Sequence, residues 1–269
     1  MDKVEIYYFS GTGNSFAVAR DLAEKLNAKL ISVTSMMNQE SIAIEADVIG
    51  FVFPIYDFKP PLTMENFIRK LKNIDSKYLF AVCTYGITTS QSLNYFNKVI
   101  KSCSGHLSAG FAVGMPHNGI GSSATTTTQH ERMFENWKNK LEEICEYINA
   151  RKEGKIESSS LSLSFFQPGV IRMVPSALKL LIHMLLRGVK SLAFTSDKNC
   201  NGCGICENIC PVNNIEVVSS KPIWSDHCAG CFACFHWCPK EAISLGGFNM
   251  NIKAYHHPDV KISDMIRGK

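Results

Sequence analysis

Cysteine is the residue type with the clearest chemistry in this 269-residue chain. Eight of the 11 cysteines fall in two runs, Cys200–Cys210 and Cys228–Cys238, which share the spacing C-x2-C-x2-C-x3-C-P. Each position of the first run recurs 28 residues later (200 to 228), as Gly202 does at Gly230, which indicates an internal duplication. Three thiolates separated by two residues each allow a short loop to surround an iron–sulfur cubane, and glycine supplies the positive φ that this loop needs.

Disulfide bonds and zinc sites are the two alternatives to iron–sulfur clusters for these cysteines. The N-terminus has no apolar segment or cleavage site typical of a signal peptide, so we expect a cytoplasmic protein whose thiols bind metal. Zinc sites usually combine two ligand pairs separated by a longer arm. Here four cysteines fall within eleven residues, twice. This geometry favours iron–sulfur clusters over a pair of zinc sites.

Over residues 197–246, both runs resemble the motif of bacterial two-cluster ferredoxins. In that family the fourth cysteine of each run binds the cluster of the other run. The resemblance therefore implies two [4Fe-4S] clusters whose ligands cross between the runs. One cluster would be held by Cys200, Cys203, Cys206 and Cys238, and the other by Cys228, Cys231, Cys234 and Cys210.

A second candidate site lies near the N-terminus, where the apolar segment Val4–Phe9 is followed by a Gly- and hydroxyl-rich loop, Ser10–Ser15. The segment is rich in β-branched and aromatic residues, which predicts a buried strand. After the loop, Val18, Leu22 and Leu26 recur at the spacing of an amphipathic helix. A strand, a loop of this composition and a helix N-terminus together predict a site for a phosphate group.

Further apolar segments predict strands that alternate with helices along the first 150 residues. The strands are Lys29–Val33, Ala46–Phe53, Lys77–Cys83 and His106–Val113, with helices over 62–72, 90–101 and 129–151. This alternation predicts an α/β fold with a doubly wound parallel sheet of five strands. Ligands bind such sheets at the carboxyl ends of the strands. His117 and Asn118 follow the last strand and are candidate substrate or proton contacts.

Residues 1–150 resemble a flavodoxin-like domain, chiefly in the loop that runs from Phe9 to Ser15. The resemblance implies FMN as the cofactor, with its phosphate in this loop and its ring between two loops at strand ends. Tyr56 would stack on the ring. The implied phosphate contacts are Ser10, Thr12, Asn14 and Ser15, with Gly13 allowing close approach; Pro54, Ile55 and Tyr56 line one face of the ring, and Thr84, Tyr85 and Gly86 line the other side.

The segment between the two candidate sites, residues 151–195, carries seven Lys or Arg against two Glu. Its apolar stretch Ser176–Arg187 predicts a helix that either packs against both domains, which we favour, or contacts a membrane or an acidic partner. The ferredoxin-like α+β domain follows over 196–246, and residues 247–269 form a C-terminal tail. The net charge of +4 is weak evidence for nucleic-acid binding. No apolar run is long enough to span a bilayer.

The combination of the two domains resembles the flavodoxin–ferredoxin fusions of anaerobes known as the EFR1 family of ferredoxins. It implies an electron-transfer protein that passes electrons between two [4Fe-4S] clusters and FMN, with a redox partner protein as donor or acceptor. The alternative is a flavin-dependent reductase that gives hydride from FMN to a small-molecule acceptor, with the clusters refilling the flavin. An open pocket formed by residues 56–60 and 115–120 would favour the reductase.

Overall fold

The computed structural model describes residues 2–119, 126–159, 178, 193–245 and 253–267. Apart from Leu178, the helix predicted over 176–187 lies outside the described residues. A parallel six-stranded sheet with the order β2-β1-β4-β6-β7-β8 organises the N-terminal part. Its strands are β1 (Val4–Tyr8), β2 (Lys29–Ser32), β4 (Val48–Pro54), β6 (Tyr78–Tyr85), β7 (Leu107–Gly114) and β8 (Lys155–Ile156), and a separate parallel pair joins β3 (Ile42–Ala43) to β5 (Leu71–Lys72).

The central strands of the sheet are buried on both faces, as continuous apolar runs predict for parallel strands. Phe51 and Phe53 of β4 and Phe80 of β6 are completely buried. Helices in the connections cover the faces and return the chain, so every strand ends at the same edge of the sheet. These helices are α1 (Asn14–Lys25), a short 3-10 helix (Val33–Met36), α2 (Leu62–Lys70), α3 (Ser92–Ser102) and α4 (Thr127–Asn149).

The predicted doubly wound parallel sheet is confirmed, and strand β8 extends it by one strand beyond the five expected. This strand of two residues lies in the basic segment that begins at residue 151. Its neighbour Glu157 accepts hydrogen bonds from the Ala112 backbone N–H at 2.8 Å and from Lys140 Nζ at 2.6 Å. The segment therefore begins as an edge of the sheet, because a carboxylate attaches it to β7 and α4.

The cysteine-rich part is small and contains two antiparallel strand pairs. Strand β9 pairs with β12, and β10 pairs with β11. A short helix contains the third cysteine of each motif. The elements are β9 (Phe194–Ser196), α5 (Ile205–Ile209), β10 (Ile215–Val218), β11 (Lys221–Trp224), α6 (Ala233–His236), β12 (Ile243–Leu245) and, after it, α7 (Ile262–Arg267).

The two parts share one apolar core. Cys231 and Trp237 of the cysteine-rich part, and Val260 of the C-terminal segment, belong to the same buried cluster as the residues of the large sheet. A second, smaller cluster includes Phe194, Ile215 and further apolar residues between the two strand pairs. The described helices include none with the length and apolar character needed to cross a membrane.

Candidate redox site

The loop Ser10–Ser15 connects β1 to the N-terminus of α1, as the sequence predicts. The first N–H groups of a helix have no acceptor within the helix, so those of α1 are available to an anion. The loop is held in shape by its own hydroxyls. Ser10 Oγ accepts a hydrogen bond from the Gly13 N–H at 3.1 Å, and Ser15 Oγ lies 2.8 Å from Thr84 Oγ1. This geometry is compatible with the phosphate site that the sequence predicts.

Two side chains expected to hold the phosphate are engaged elsewhere in the protein. Asn14 Nδ2 donates to the Pro116 carbonyl at 3.1 Å, and Asn14 Oδ1 accepts from the Tyr255 hydroxyl at 2.7 Å. Thr12 Oγ1 accepts from Asn118 Nδ2. The Asn14 side chain therefore joins the loop to its neighbours, and its backbone N–H is the group that remains for an anion.

A cavity of about 570 Å³ opens at the carboxyl ends of the strands. Its second wall belongs to the other half of the chain and includes Gly230, Cys231 and Phe232. The structure thus brings together residues from four loops of the sheet and one cysteine motif. Every predicted flavin contact except Gly13 lines this strand-end cavity: Ser10, Thr12, Asn14, Ser15, Pro54, Ile55, Tyr56, Thr84, Tyr85 and Gly86.

Gly11 is the point at which the cysteine-rich part contacts the phosphate loop. A Cβ atom added to Gly11 would lie 2.6 Å from the Cys231 carbonyl oxygen and 2.8 Å from the Tyr56 hydroxyl. Only glycine allows this approach without a backbone shift. Burial raises the pKa of Tyr56 well above its usual range, and the nearby Cys231 adds to that shift. One edge of the Tyr56 ring also meets Phe9, with ring centroids 6.3 Å apart.

Two adjacent rings of the cysteine-rich part complete the contact with the sheet loops. Trp237 Nε1 donates to the Gly11 carbonyl at 3.0 Å. His236 Nδ1 accepts from the Tyr255 N–H at 3.1 Å, so its Nε2 carries the proton and donates to the Asn118 carbonyl at 2.8 Å. Burial lowers the pKa of His236 to about 4 and keeps the ring neutral.

The C-terminal segment covers the outer side of the phosphate loop. The His257 N–H donates to the Thr12 carbonyl at 2.9 Å, and Arg20 Nη1 donates to the Asp259 carbonyl at 3.2 Å. Sequence reasoning labelled residues 247–269 a tail and missed this role. The run Tyr255-His256-His257-Pro258 is an unusual sequence. It does not predict which residue it contacts, because Thr12 lies 245 residues before His257 in the chain (257 to 12).

Cys200, Cys203, Cys206 and Cys238, which we call the outer cysteine set, line one small cavity of about 20 Å³. Cys238 reaches this cavity from the second motif, so the crossing that the resemblance implies is compatible with the fold. Cys203 is exposed to solvent. Burial raises the pKa of Cys206 to about 11, opposed by backbone N–H groups and supported by Cys203 and Cys200.

The other four cysteines, which we call the inner cysteine set, are Cys210, Cys228, Cys231 and Cys234. Of these, Cys231 lines the strand-end cavity. Burial raises the pKa of Cys231 to about 12, and the proximity of Cys210 and Cys228 adds to the rise. Backbone N–H groups donate to sulfur at Cys210 (3.2 Å) and Cys228 (3.4 Å). Thiols supplied with N–H donors fit iron–sulfur clusters. Within the described residues, no three acidic, His or Cys side chains are placed to hold a single metal ion.

Comparisons with known proteins agree with this division of the chain. The family model described as a flavodoxin domain matches residues 5–117, and the one described as a 4Fe-4S dicluster domain matches residues 199–243. No curated relative matches the chain.

Solved structures similar to this chain include a flavodoxin from the domain Archaea, with 15% identity over 53% of this chain and 98% of that one, and a TM-score of 0.34. The flavodoxin of Megasphaera elsdenii has 21% identity over 43% of this chain and 90% of that one, with a TM-score of 0.34. An azoreductase from Bacillus anthracis has 11% identity over 54% and 99%, with a TM-score of 0.39. From the two family matches, the chain joins a flavodoxin domain, at residues 5–117, to a 4Fe-4S dicluster domain, at residues 199–243.

Proposed function

We propose that this iron–sulfur flavoprotein transfers electrons between two [4Fe-4S] clusters and one FMN. The observation that carries the proposal is the composition of the strand-end cavity, whose walls include both the phosphate loop and Cys231. When bound, FMN exchanges one or two electrons and each cluster exchanges one. With Cys231 as a cluster ligand and FMN in the cavity, the two kinds of cofactor would lie next to each other.

Each part of the chain has a definite task in this proposal. The loop N–H groups at the start of α1 bind the FMN phosphate, while Tyr56 and Tyr85 border the ring. The inner cysteine set holds one cluster against the cavity, and the outer set holds the second. Because Cys203 is exposed, the outer set is the surface at which a redox partner protein would donate or accept electrons. Membership of the EFR1 family stays a prediction.

The reductase alternative is favoured by cavity-lining residues that belong to the flavodoxin domain. Asp57, Phe58 and His117 line the cavity, and Phe58 is 47% exposed. Burial lowers the pKa of His117, so its imidazole is neutral at neutral pH and able to contact a polar acceptor molecule. A small molecule that entered beside Phe58 would reach the cavity without displacing the cysteine-rich part.

An anaerobic reductive titration of the reconstituted chain, with iron and flavin assays, tests the proposal. We expect about eight irons and one FMN per chain, and uptake of about four electrons with bleaching of the flavin absorption. Two electrons without flavin, or zinc in place of iron, would contradict it. Reoxidation of the reduced protein by small acceptor molecules, measured with and without a redox partner protein, distinguishes an electron carrier from a reductase.

A further inference from the structure

Two buried N–H donors of the cysteine-rich part have no hydrogen-bond acceptor among the described residues. They are Asn214 Nδ2 and Trp224 Nε1. A buried donor without an acceptor costs about 1–3 kcal/mol, so native structures rarely contain one without a reason. Both donors lie beside the inner cysteine set, and both would gain an acceptor if sulfur atoms of a cluster were present there.

The Asn214 side chain is held in one orientation by its neighbours. Its Oδ1 accepts from the His227 N–H at 2.8 Å, so the amide cannot be turned round without losing that bond. Its own backbone N–H donates to Cys210 Sγ at 3.2 Å. Asn214 is 1% exposed, and it lies between Cys210 and the residue that precedes Cys228. Its Nδ2 is therefore a fixed donor within the inner set.

Trp224 approaches the same set from strand β11. Its ring stacks on Phe194, with centroids 6.3 Å apart and planes inclined by 28°. Trp224 also packs against the buried cluster that contains Cys210 and Cys234 of the inner set. Its N–H is buried there, and no acceptor completes its hydrogen bond among the described residues.

The internal duplication supplies a comparison within the same molecule. At the offset of 28 residues, Asn214 corresponds to Ala242 and Trp224 corresponds to Ser196. The backbone is alike in both halves, because the Ala242 N–H donates to Cys238 Sγ at 3.4 Å as the Asn214 N–H does to Cys210 Sγ. Ile215 pairs with Trp224, and its counterpart Ile243 pairs with Ser196. The side-chain donors of Asn214 and Trp224 therefore have no counterpart beside the outer cysteine set.

We propose that Asn214 Nδ2 and Trp224 Nε1 donate hydrogen bonds to sulfur atoms of the cluster held by the inner cysteine set, and so raise its reduction potential above that of the outer cluster. Reduction makes a cluster more negative, and N–H donors stabilise the added charge. An electron that enters at the exposed outer set would then move toward the strand-end cavity. The inference rests on the proposed function in so far as both sets hold iron–sulfur clusters.

The test is an anaerobic redox titration of the full-length reconstituted protein, followed by EPR. Trp224→Phe removes the indole N–H and keeps an aromatic ring. We expect the higher of the two cluster potentials to fall, by about tenfold in the reduction equilibrium or ~59 mV for a one-electron couple, with the lower one unchanged. Asn214→Ala, which introduces the residue found at the corresponding position 242, should lower the same potential. It is a second variant if the first one folds poorly.

Trp137→Phe is the matched control, because its indole N–H donates to Asp21 Oδ2 at 2.9 Å and to no sulfur; it should leave both potentials in place. Cys203→Ser changes a ligand of the outer set and so identifies which potential belongs to it. Unchanged potentials in both Trp224→Phe and Asn214→Ala at full iron content, or equal shifts of the two clusters, would overturn the inference. Zinc in place of iron would overturn both the inference and the proposed function. Clusters that form without flavin would overturn the proposed function and leave the inference standing.

Discussion

The two motifs of the cysteine duplication have the same backbone and different surroundings. We call Cys200–Cys210 the outer half and Cys228–Cys238 the inner half. Gly202 and Gly230 adopt φ values of 71° and 65°, as the shared spacing predicts. Yet Cys203 is exposed, whereas its counterpart Cys231 is buried against the flavodoxin domain. The spacing of the cysteines determines how each loop wraps, and packing on another domain determines what each site does. We infer that duplication produced two similar sites and that docking buried Cys231 in one of them, while Cys228 of the same motif stays exposed.

The position after the second cysteine makes the contrast sharper. Gly204 has a φ of 76°, and its counterpart Phe232 adopts a φ of 57°, in the same left-handed region. A residue with a Cβ atom is strained there by about 1–2 kcal/mol. Phe232 lines the strand-end cavity and meets Phe194 edge to face, with centroids 5.3 Å apart. The inner half therefore tolerates strain that the outer half avoids, and an aromatic wall of the cavity is the result.

The largest effect is expected from a variant that separates the inner half from the phosphate loop. In Gly11→Ala the new Cβ would meet the Cys231 carbonyl oxygen at 2.6 Å, so the backbone of one side must move. Displacement of reacting groups by about 1 Å costs roughly 10²-fold in rate. We expect electron transfer from the clusters to the flavin, followed by stopped-flow absorption, to slow by about that factor.

Gly110→Ala is the matched control for this prediction. Its Cβ would lie 3.4 Å from the Leu93 side chain, an ordinary contact far from the cysteines. It should fold and transfer electrons at the wild-type rate. If Gly11→Ala transferred electrons as fast as this control while binding the same amount of iron and flavin, contact at Gly11 would not determine the transfer rate.

The sheet and both motifs could be predicted from sequence because their signals are local. The buried strand at Ala46–Phe53, for example, is observed at Val48–Pro54. The role of Asn14 could not be predicted, since its side chain contacts Pro116 and Tyr255, which no motif connects to the loop. Strand β8 has two residues, too few for a periodic pattern. Contacts between segments distant in sequence depend on the assembled fold.

A smaller effect is expected from the left-handed position, where glycine should be more stable than alanine in both halves. Phe232→Gly should be more stable than Phe232→Ala by about 1 kcal/mol, because glycine relieves the left-handed strain that alanine retains. In the outer half, Gly204→Ala should likewise destabilise the protein by about 1–2 kcal/mol. Denaturant midpoints of the three reconstituted variants measure both. A Phe232→Ala variant more stable than Phe232→Gly would mean that the backbone relaxes once the ring is removed.

The smallest effect concerns the flavodoxin side of the cavity that the inner half covers. Burial lowers the pKa of His117 below the value of about 6.5 that the unfolded chain has. As the pH falls below about 6.5, the unfolded chain binds a proton at His117 that the buried ring of the folded protein does not bind. The stability that the neutral ring contributes is therefore present above about pH 6.5 and is lost as the pH falls toward the pKa of the folded protein.

His117→Gln removes this titration. The difference in free energy of unfolding between the wild type and the variant should therefore be constant above pH 7 and should shift in favour of the variant below pH 6. Urea denaturation across this range measures the difference. A difference that did not change with pH would show that the ring is as well solvated in the folded protein as in the unfolded chain.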